Sequence, residues 1–132
     1  MRKLILAVVI SALSVWGIAL AKKKDPARWA PRRIKIDVIQ KKMKAVEFDH
    51  FKHASTQKGL GIPCTTCHHK SRGTDVSTAC TDCHRPHRIG AMLSIKGAFH
   101  KRCMSCHLST NKKTKRAVAP VTCQGCHNAS SK

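Results

Sequence analysis

The sequence has little material for an apolar core. Its 132 residues include three Phe, two Trp and no Tyr, and Trp16 falls in an apolar stretch near the N-terminus. Aromatic side chains supply much of the buried area that stabilises a small domain. A conventional aromatic-rich core is therefore excluded, and another component must fill the interior.

Acidic residues are also scarce. Six Asp and Glu stand against 26 Lys and Arg, which sets the formal net charge at +20. Such an excess often indicates nucleic-acid binding, but here the basic segments lack the interleaved aromatic side chains on which bases stack. We therefore predict no nucleic-acid partner.

The N-terminus has the pattern of an export signal. Two basic residues precede an apolar run from Leu4 to Leu20, and a small-residue cleavage site ends at Ala21. The pattern predicts a signal peptide over residues 1–21. A run of roughly 17 apolar residues is also near the lower limit for spanning a bilayer, so an uncleaved anchor stays open as the alternative.

The pattern changes twice between the leader and residue 50. Residues 22–33 are basic and contain two Pro, which predicts an extended arm. Apolar and polar residues then alternate over 34–38 and 46–48, which predicts two short strands and a hairpin. Past residue 50 Gly and Pro recur, so we expect mostly irregular structure with helices of a few turns at most. Residues 34–132 are predicted to form a single domain.

Eight cysteines in so short a chain are the informative excess, and they occur as four C-x-x-C-H segments. The segments are Cys64-Thr-Thr-Cys67-His68, Cys80-Thr-Asp-Cys83-His84, Cys103-Met-Ser-Cys106-His107 and Cys123-Gln-Gly-Cys126-His127. They recur at intervals of 16, 23 and 20 residues, which are too irregular for a solenoid. Each segment therefore organises a ligand of its own.

The C-x-x-C-H segment is the attachment signal for c-type haem. Its two thiols can add to the vinyl groups of one haem as thioethers, while the adjacent His ligates the iron from the same side. A zinc ribbon built from Cys64, Cys67, Cys80 and Cys83, or a set of disulfides, would use the same cysteines. Neither needs a His after every second Cys, so we predict four covalently bound haem c groups.

A six-coordinate haem iron needs a second axial ligand. Beyond the motif histidines the chain has five others, which are His50, His53, His69, His87 and His100. Met43 and Met92 could serve instead, and a Met ligand would raise the reduction potential. Because the histidines suffice, we predict two His ligands at each of the four irons.

The segment Val46-Glu-Phe48-Asp-His50-Phe-Lys-His53, together with the doubled His68-His69 after the first motif, resembles the tetrahaem class III cytochromes, the cytochrome c3 family. The resemblance runs from about Ile34 to His127. It implies a small multihaem cytochrome fold with few short helices, a short N-terminal β-hairpin, a mostly irregular chain and a core made of four haems.

The resemblance also implies one axial pair for each haem. These pairs are His68 with His50, His84 with His69, His107 with His53, and His127 with His100. Two features depart from the family. All four motifs are C-x-x-C-H, where the second and fourth often have a longer C-x4-C-H, and the segment from His100 to Cys103 is short. The second departure makes His87, on a polar turn, the competitor of His100.

Two His ligands leave an iron no free position for a substrate, which favours electron transfer over catalysis. The resemblance implies a low-potential periplasmic shuttle between a donor such as hydrogenase and membrane redox complexes. We expect no small-molecule substrate, and a membrane contact only if the leader is retained. The alternatives are a subunit of a membrane-bound complex or haem filament, and a metal or oxyanion reductase.

A strongly basic surface suits acidic redox partners. Haem propionates would lower the net charge of the mature protein to about +14, which still attracts anions. The run Lys112-Lys113-Thr114-Lys115-Arg116 lies between the third and fourth motifs and is the predicted docking patch. Its alternative role is that of a solubilising surface.

Overall fold

The computed structural model describes residues 24–39, 42–73, 75–76 and 78–127. The leader predicted over residues 1–21 lies outside these ranges. Within them the chain forms one 3-10 turn, two strands and five helices. In chain order these are the 3-10 turn Pro26–Trp29, strands β1 (Arg33–Ile36) and β2 (Val46–Asp49), and helices α1 (His50–Ala54), α2 (Cys64–Cys67), α3 (Cys80–Cys83), α4 (Ile95–Thr114) and α5 (Cys123–His127).

Strands β1 and β2 pair antiparallel, which confirms the prediction of two short strands and the few-helix fold class. The register runs from Arg33 opposite Asp49 to Ile36 opposite Val46. The apolar side chains of β1 are half-buried and its basic ones are exposed, because successive side chains of a strand point to opposite faces. Strand β2 continues directly into α1. The hairpin therefore sets the direction in which the first histidine-bearing helix leaves the sheet.

The N-terminal segment corrects the prediction of an extended arm. Asp25 caps the 3-10 turn by accepting a hydrogen bond from the Ala27 N–H at 3.1 Å. Its carboxylate also accepts from the Ser55 hydroxyl and, at 3.3 Å, from the Thr56 N–H. Ala27 is 2% exposed and Ser55 fully buried. The hydrogen bonds from Ser55 and Thr56 to the Asp25 carboxylate hold the N-terminal segment against the residues that follow α1. Local composition does not reveal a contact between residues 30 positions apart.

Acid should weaken this attachment. The Ser55 hydrogen bond, supported by backbone donors and opposed by burial, lowers the pKa of Asp25 below its ordinary value of 3.8. A lowered pKa means that the carboxylate stabilises the fold above its unfolded pKa and loses this contribution as the pH falls through the folded pKa. We expect Asp25→Asn to lower the thermal denaturation midpoint at pH 7, with a smaller difference from the wild type at pH 2.5.

Asp37→Asn is the matched control, because the Asp37 carboxylate is half-exposed and pairs with Lys35 at 3.4 Å on the surface. Exposed ion pairs contribute little to stability. Its denaturation midpoint should follow that of the wild type at both pH values. An equal deficit for Asp25→Asn at pH 7 and pH 2.5 would mean that the charge of Asp25 is not what stabilises the segment.

The loop after α1 turns back onto that helix. The N–H groups of Leu60 and Ile62 donate to the carbonyls of Lys52 and His53 at 2.8 and 2.9 Å. At Gly59 an added Cβ would lie 2.5 Å from the Lys52 carbonyl oxygen, so only glycine permits this approach. The loop thereby holds α1 at its C-terminal end.

Helix α4 is longer than the sequence pattern predicted. It runs for 20 residues, from the Ser94 cap, whose hydroxyl accepts from the Gly97 N–H at 3.2 Å, to Lys115 in the left-handed conformation. Ile95 is its only buried residue. The expectation of helices of a few turns at most was wrong here, because the helix lacks the continuous apolar stripe by which long helices are recognised.

Few apolar side chains are buried against one another. In the described ranges the buried apolar residues are Ala27, Ala54 and Ile95, while Leu60, Leu108 and Val118 are more than half exposed. No helix of these ranges combines the length and hydropathy needed to cross a membrane. The polypeptide by itself therefore has almost no core, as its composition indicated.

Candidate haem-binding site

Each C-x-x-C-H segment forms a helical turn. The N–H groups of His68 and His84 donate to the carbonyls of Cys64 and Cys80, both at 2.9 Å. The third motif lies inside α4, and the fourth forms α5. Residues three and four positions apart share a helix face, so both thiols and the imidazole of a motif lie on the same side. This arrangement suits one flat group held by all three.

None of the eight cysteines forms a disulfide in the structure, and five of them are exposed. Burial raises the pKa of the half-buried thiols of Cys103 and Cys126. The described residues contain no group of three or more His, Cys, Asp or Glu side chains able to hold a metal ion. The cysteines therefore form no disulfides, and each one is grouped only with the other cysteine of its own motif.

The rings of three motif histidines lie close to the rings of three of the other histidines, with angles of 27°, 47° and 81° between their planes. The ring centres are 6.0 Å apart for His84 and His69, and 6.3 Å apart for His107 and His53 and for His127 and His100. In each pair one ring belongs to a C-x-x-C-H segment and the other lies elsewhere in the chain. These are three of the four pairs that the family resemblance implies.

The separation is the one expected across a metal ion. Imidazole nitrogens lie about 2.0–2.1 Å from a bound first-row metal, so rings on opposite sides of it have centres roughly 6 Å apart. The three pairs therefore fit an iron between them, with the thiols of the motif beside it. The donor set and its spacing fit covalently bound haem.

For the fourth pair, His68 and His50, the described part of the structure shows an electrostatic interaction and no direct ring contact. Burial lowers the pKa of His68, and the nearby His50 lowers it further when it is charged. The two side chains thus lie within electrostatic range of each other. All eight predicted axial histidines fall within the described residues, and three of the four pairs that the resemblance implies are ring neighbours in the structure.

Five of these eight rings are oriented by backbone carbonyls. A carbonyl oxygen only accepts, so the ring Nδ1 carries the hydrogen and Nε2 keeps the lone pair that a metal ligand needs. The Nδ1 contacts are His50 to Pro31 at 3.1 Å, His53 to Asp49 at 2.8 Å, His84 to Leu93 at 2.9 Å, His107 to Pro120 at 2.6 Å and His127 to Lys44 at 2.7 Å. The backbone therefore selects the tautomer.

Asn111 helps to position the carbonyl that orients His107. This role was not identified from the sequence. Its side-chain amide donates to the Ala119 carbonyl at 2.8 Å, and its oxygen accepts from the N–H groups of Val118 and Ala119 at 3.0 and 2.9 Å. These bonds hold residues 118–120 against the end of α4, where Pro120 accepts from His107. One Asn in a polar helix end gives no sequence signal of this role.

Phe48 lies between two of the predicted ligands. Its ring centre is 4.6 Å from that of His53 and 6.0 Å from that of His50. These histidines belong to different predicted haems. The aromatic ring of β2 therefore packs at the boundary between two sites.

His87 and the two methionines occupy other surroundings. His87 is exposed at a bend, and within the described ranges no hydrogen bond or ring contact joins it to another histidine. Met43 and Met92 are 42% and 45% exposed. His100, in contrast, lies on α4 opposite the His127 ring. Geometry thus favours His100 over its competitor.

A family model described as the class III cytochrome c family matches residues 24–127. The nine-heme cytochrome c of Desulfovibrio desulfuricans is 30% identical over 117 residues, which cover 86% of this chain and 33% of the relative. The high-molecular-weight cytochrome c of Nitratidesulfovibrio vulgaris is 28% identical over 119 residues, covering 77% and 21%. The cytochrome c3 of Maridesulfovibrio salexigens is 33% identical over 91 residues, covering 62% and 76%. The chain thus spans about a third and a fifth of the first two relatives.

Proposed function

The chain belongs to the class III cytochrome c family, whose members bind covalently attached haem c, and we propose that it is an electron-transfer protein carrying four such haems. The observation that carries this proposal is the set of three histidine pairs with ring centres 6.0–6.3 Å apart, each containing the histidine of a motif whose two cysteines form no disulfide. A disulfide framework would not need such pairs, whereas two imidazole ligands on one iron would be separated by about this distance.

Each haem would be held by two thioethers and two imidazoles. The thioether positions are Cys64 and Cys67, Cys80 and Cys83, Cys103 and Cys106, and Cys123 and Cys126. The imidazole pairs would be His68 with His50, His84 with His69, His107 with His53, and His127 with His100. The backbone carbonyls that hold Nδ1 would make the ligating nitrogens more basic and fix their orientation.

A bound haem supplies one-electron oxidation and reduction at iron. The residues of this chain determine how that chemistry is used. Two imidazoles per iron would leave no position for a substrate, so the proposed role is to pass electrons on and not to catalyse a reaction at iron. The surrounding Lys and Arg would favour the reduced state electrostatically or offset the propionates.

The haem count is tested by mass spectrometry of the mature protein. We expect a polypeptide beginning at Lys22 plus four haems, because the chain has four C-x-x-C-H motifs. Replacing Cys80 and Cys83 by Ser should remove one haem and leave three. Free thiols or bound zinc in the isolated protein would contradict the proposal.

The proposed setting is the periplasm, where the protein would carry electrons between a hydrogenase-like donor and a membrane cytochrome complex at low potential. The positive charge supports acidic partners. Lys112 and Lys113 lie in the last turn of α4, with Lys115 and Arg116 directly after it. All four are exposed and lie next to the loop that carries the acceptor for His107.

The rate of electron transfer to an acidic partner should fall steeply with salt. Electrostatic attraction weakens as the Debye length shrinks from about 30 Å at 0.01 M to about 10 Å at 0.1 M ionic strength. Replacing Lys112, Lys113, Lys115 and Arg116 by Gln should slow association at least tenfold in stopped-flow measurements, with the visible spectrum unchanged.

Neutralising Lys22, Lys23 and Lys24 gives the control for net charge. An equal loss of rate there would mean that total charge and not a docking patch governs association. A rate indifferent to salt and to both sets of substitutions would overturn the soluble-shuttle role, and a permanently assembled complex would then explain the protein better.

A further inference from the structure

Two adjoining cavities lie where the N-terminal 3-10 turn meets β1 and α1. Their volumes are about 370 and 400 Å³, and Arg32, Phe51 and Lys58 line both. Lys24 and Arg28 also line the first cavity, and Arg33 and Lys52 also line the second. We call these six Lys and Arg residues the basic face. None of them belongs to the histidine pairs or to the proposed docking patch.

The two acidic residues next to the basic face, Asp25 and Asp49, accept hydrogen bonds from other groups of the chain. The Asp25 carboxylate accepts from Ser55 and from backbone N–H groups, and Asp49 accepts from the Lys52 N–H at 2.8 Å. Within the described ranges no ion pair joins the basic face to a carboxylate of this chain. The two cavities therefore keep a strong excess of positive charge.

An exposed indole stands at the rim. Trp29, at the end of the 3-10 turn, is 83% exposed, and the Arg28 guanidinium lies 4.5 Å from its ring centre. Arg32 packs in the same way over Phe51 at 4.4 Å. Stacking on the rings keeps both guanidinium groups extended beside the cavities. The cationic sites are thus preorganised next to one projecting aromatic side chain.

This combination suits phosphate groups at a membrane surface. Guanidinium groups bind phosphate through paired hydrogen bonds, and the cavities have the size of small-ligand sites. Tryptophan prefers the interfacial layer of a bilayer. A protein partner would instead need roughly 800 Å² of packed surface with an apolar centre, which Trp29 and Phe51 alone do not offer. A second copy, also strongly basic, would be repelled.

We propose that the basic face binds the phosphate headgroups of an anionic lipid membrane, with the Trp29 indole entering the headgroup layer. The binding is peripheral and reversible and uses no part of the histidine site. It would keep the protein close to the surface on which membrane partners lie. Membrane binding by the basic face does not depend on the proposed electron-transfer function, so the two proposals can be tested separately.

Vesicle co-sedimentation of the purified holoprotein tests it. We expect binding to vesicles of equal phosphatidylglycerol and phosphatidylcholine and none to phosphatidylcholine alone. Because each basic side chain near an anionic surface contributes about a fivefold change in partitioning, Arg28→Gln, Arg32→Gln and Lys58→Gln together should weaken binding about a hundredfold. Trp29→Ala should weaken it several-fold without changing the net charge.

The matched control removes three charges elsewhere, at Lys112, Lys113 and Arg116, and should weaken binding less than tenfold. Equal losses in the two triple variants would overturn the proposal in favour of net charge alone. Equal binding to neutral vesicles would also contradict it. Saturable binding of inorganic phosphate without vesicle binding would identify a free anion as the ligand, and binding only to an acidic protein would make the face a protein interface.

Discussion

Replacing His100 by Ala should convert one of the four proposed low-spin haems to the high-spin state, whereas His87→Ala should leave all four unchanged. His100 lies with its ring centre 6.3 Å from that of His127, while His87 is exposed at a bend. Loss of an axial ligand leaves the iron five-coordinate or bound to water, which changes its spin state. Visible and electron paramagnetic resonance spectra of the oxidised proteins give the measurement.

The ring planes indicate which signal should disappear. The planes of His100 and His127 stand at 81°, those of His69 and His84 at 47°, and those of His53 and His107 at 27°. Nearly perpendicular imidazoles split the iron d orbitals least and give a strongly anisotropic low-spin signal. Among these three sites that signal is expected from the His100 site, and it should be lost from His100→Ala. If His87→Ala lost it instead, the ligand of the fourth haem would be His87.

A chain in which all eight Cys are replaced by Ala should fail to fold. The described residues bury only Ala27, Ala54 and Ile95 as apolar side chains. Burial of so little apolar surface cannot offset the conformational entropy of ordering about a hundred residues. Far-UV circular dichroism should show that nearly all the helical signal, most of which comes from α4, is lost, and amide hydrogen exchange should lack protection.

The control replaces Cys80 and Cys83 alone. Helix α3 is a single exposed turn, so this variant should keep most of the helical signal and the paramagnetic signal of the His100 site. A fully helical eight-fold variant would show that the polypeptide folds without covalent attachment. In that case the haems would bind to a polypeptide that is already folded, and the fold would not depend on them as its core.

Parts of the fold could be read from local patterns. Alternation of apolar and polar residues predicted the two strands, since one strand face is half-buried and the other exposed. The same reasoning missed α4, because its apolar residues form no stripe and only Ile95 is buried. Helix propensity and the Ser94 cap were present in the sequence, but they do not distinguish a long helix from a short one. The arm itself was predicted, but its attachment was missed for a similar reason, since Asp25 accepts a hydrogen bond from Ser55, 30 residues away.

The sequence by itself determined the chemistry of each attachment site, because two thiols and an imidazole within five residues need only a helical turn to reach one face. It also determined the basic charge and the supply of further histidines. The tertiary structure decided which of those histidines lies opposite which motif, since such pairing depends on segments far apart in the chain. The contact of His127 with the Lys44 carbonyl spans 83 residues. Every residue has a carbonyl, so no side-chain pattern can reveal which one will orient a ring, and only the folded backbone makes that choice.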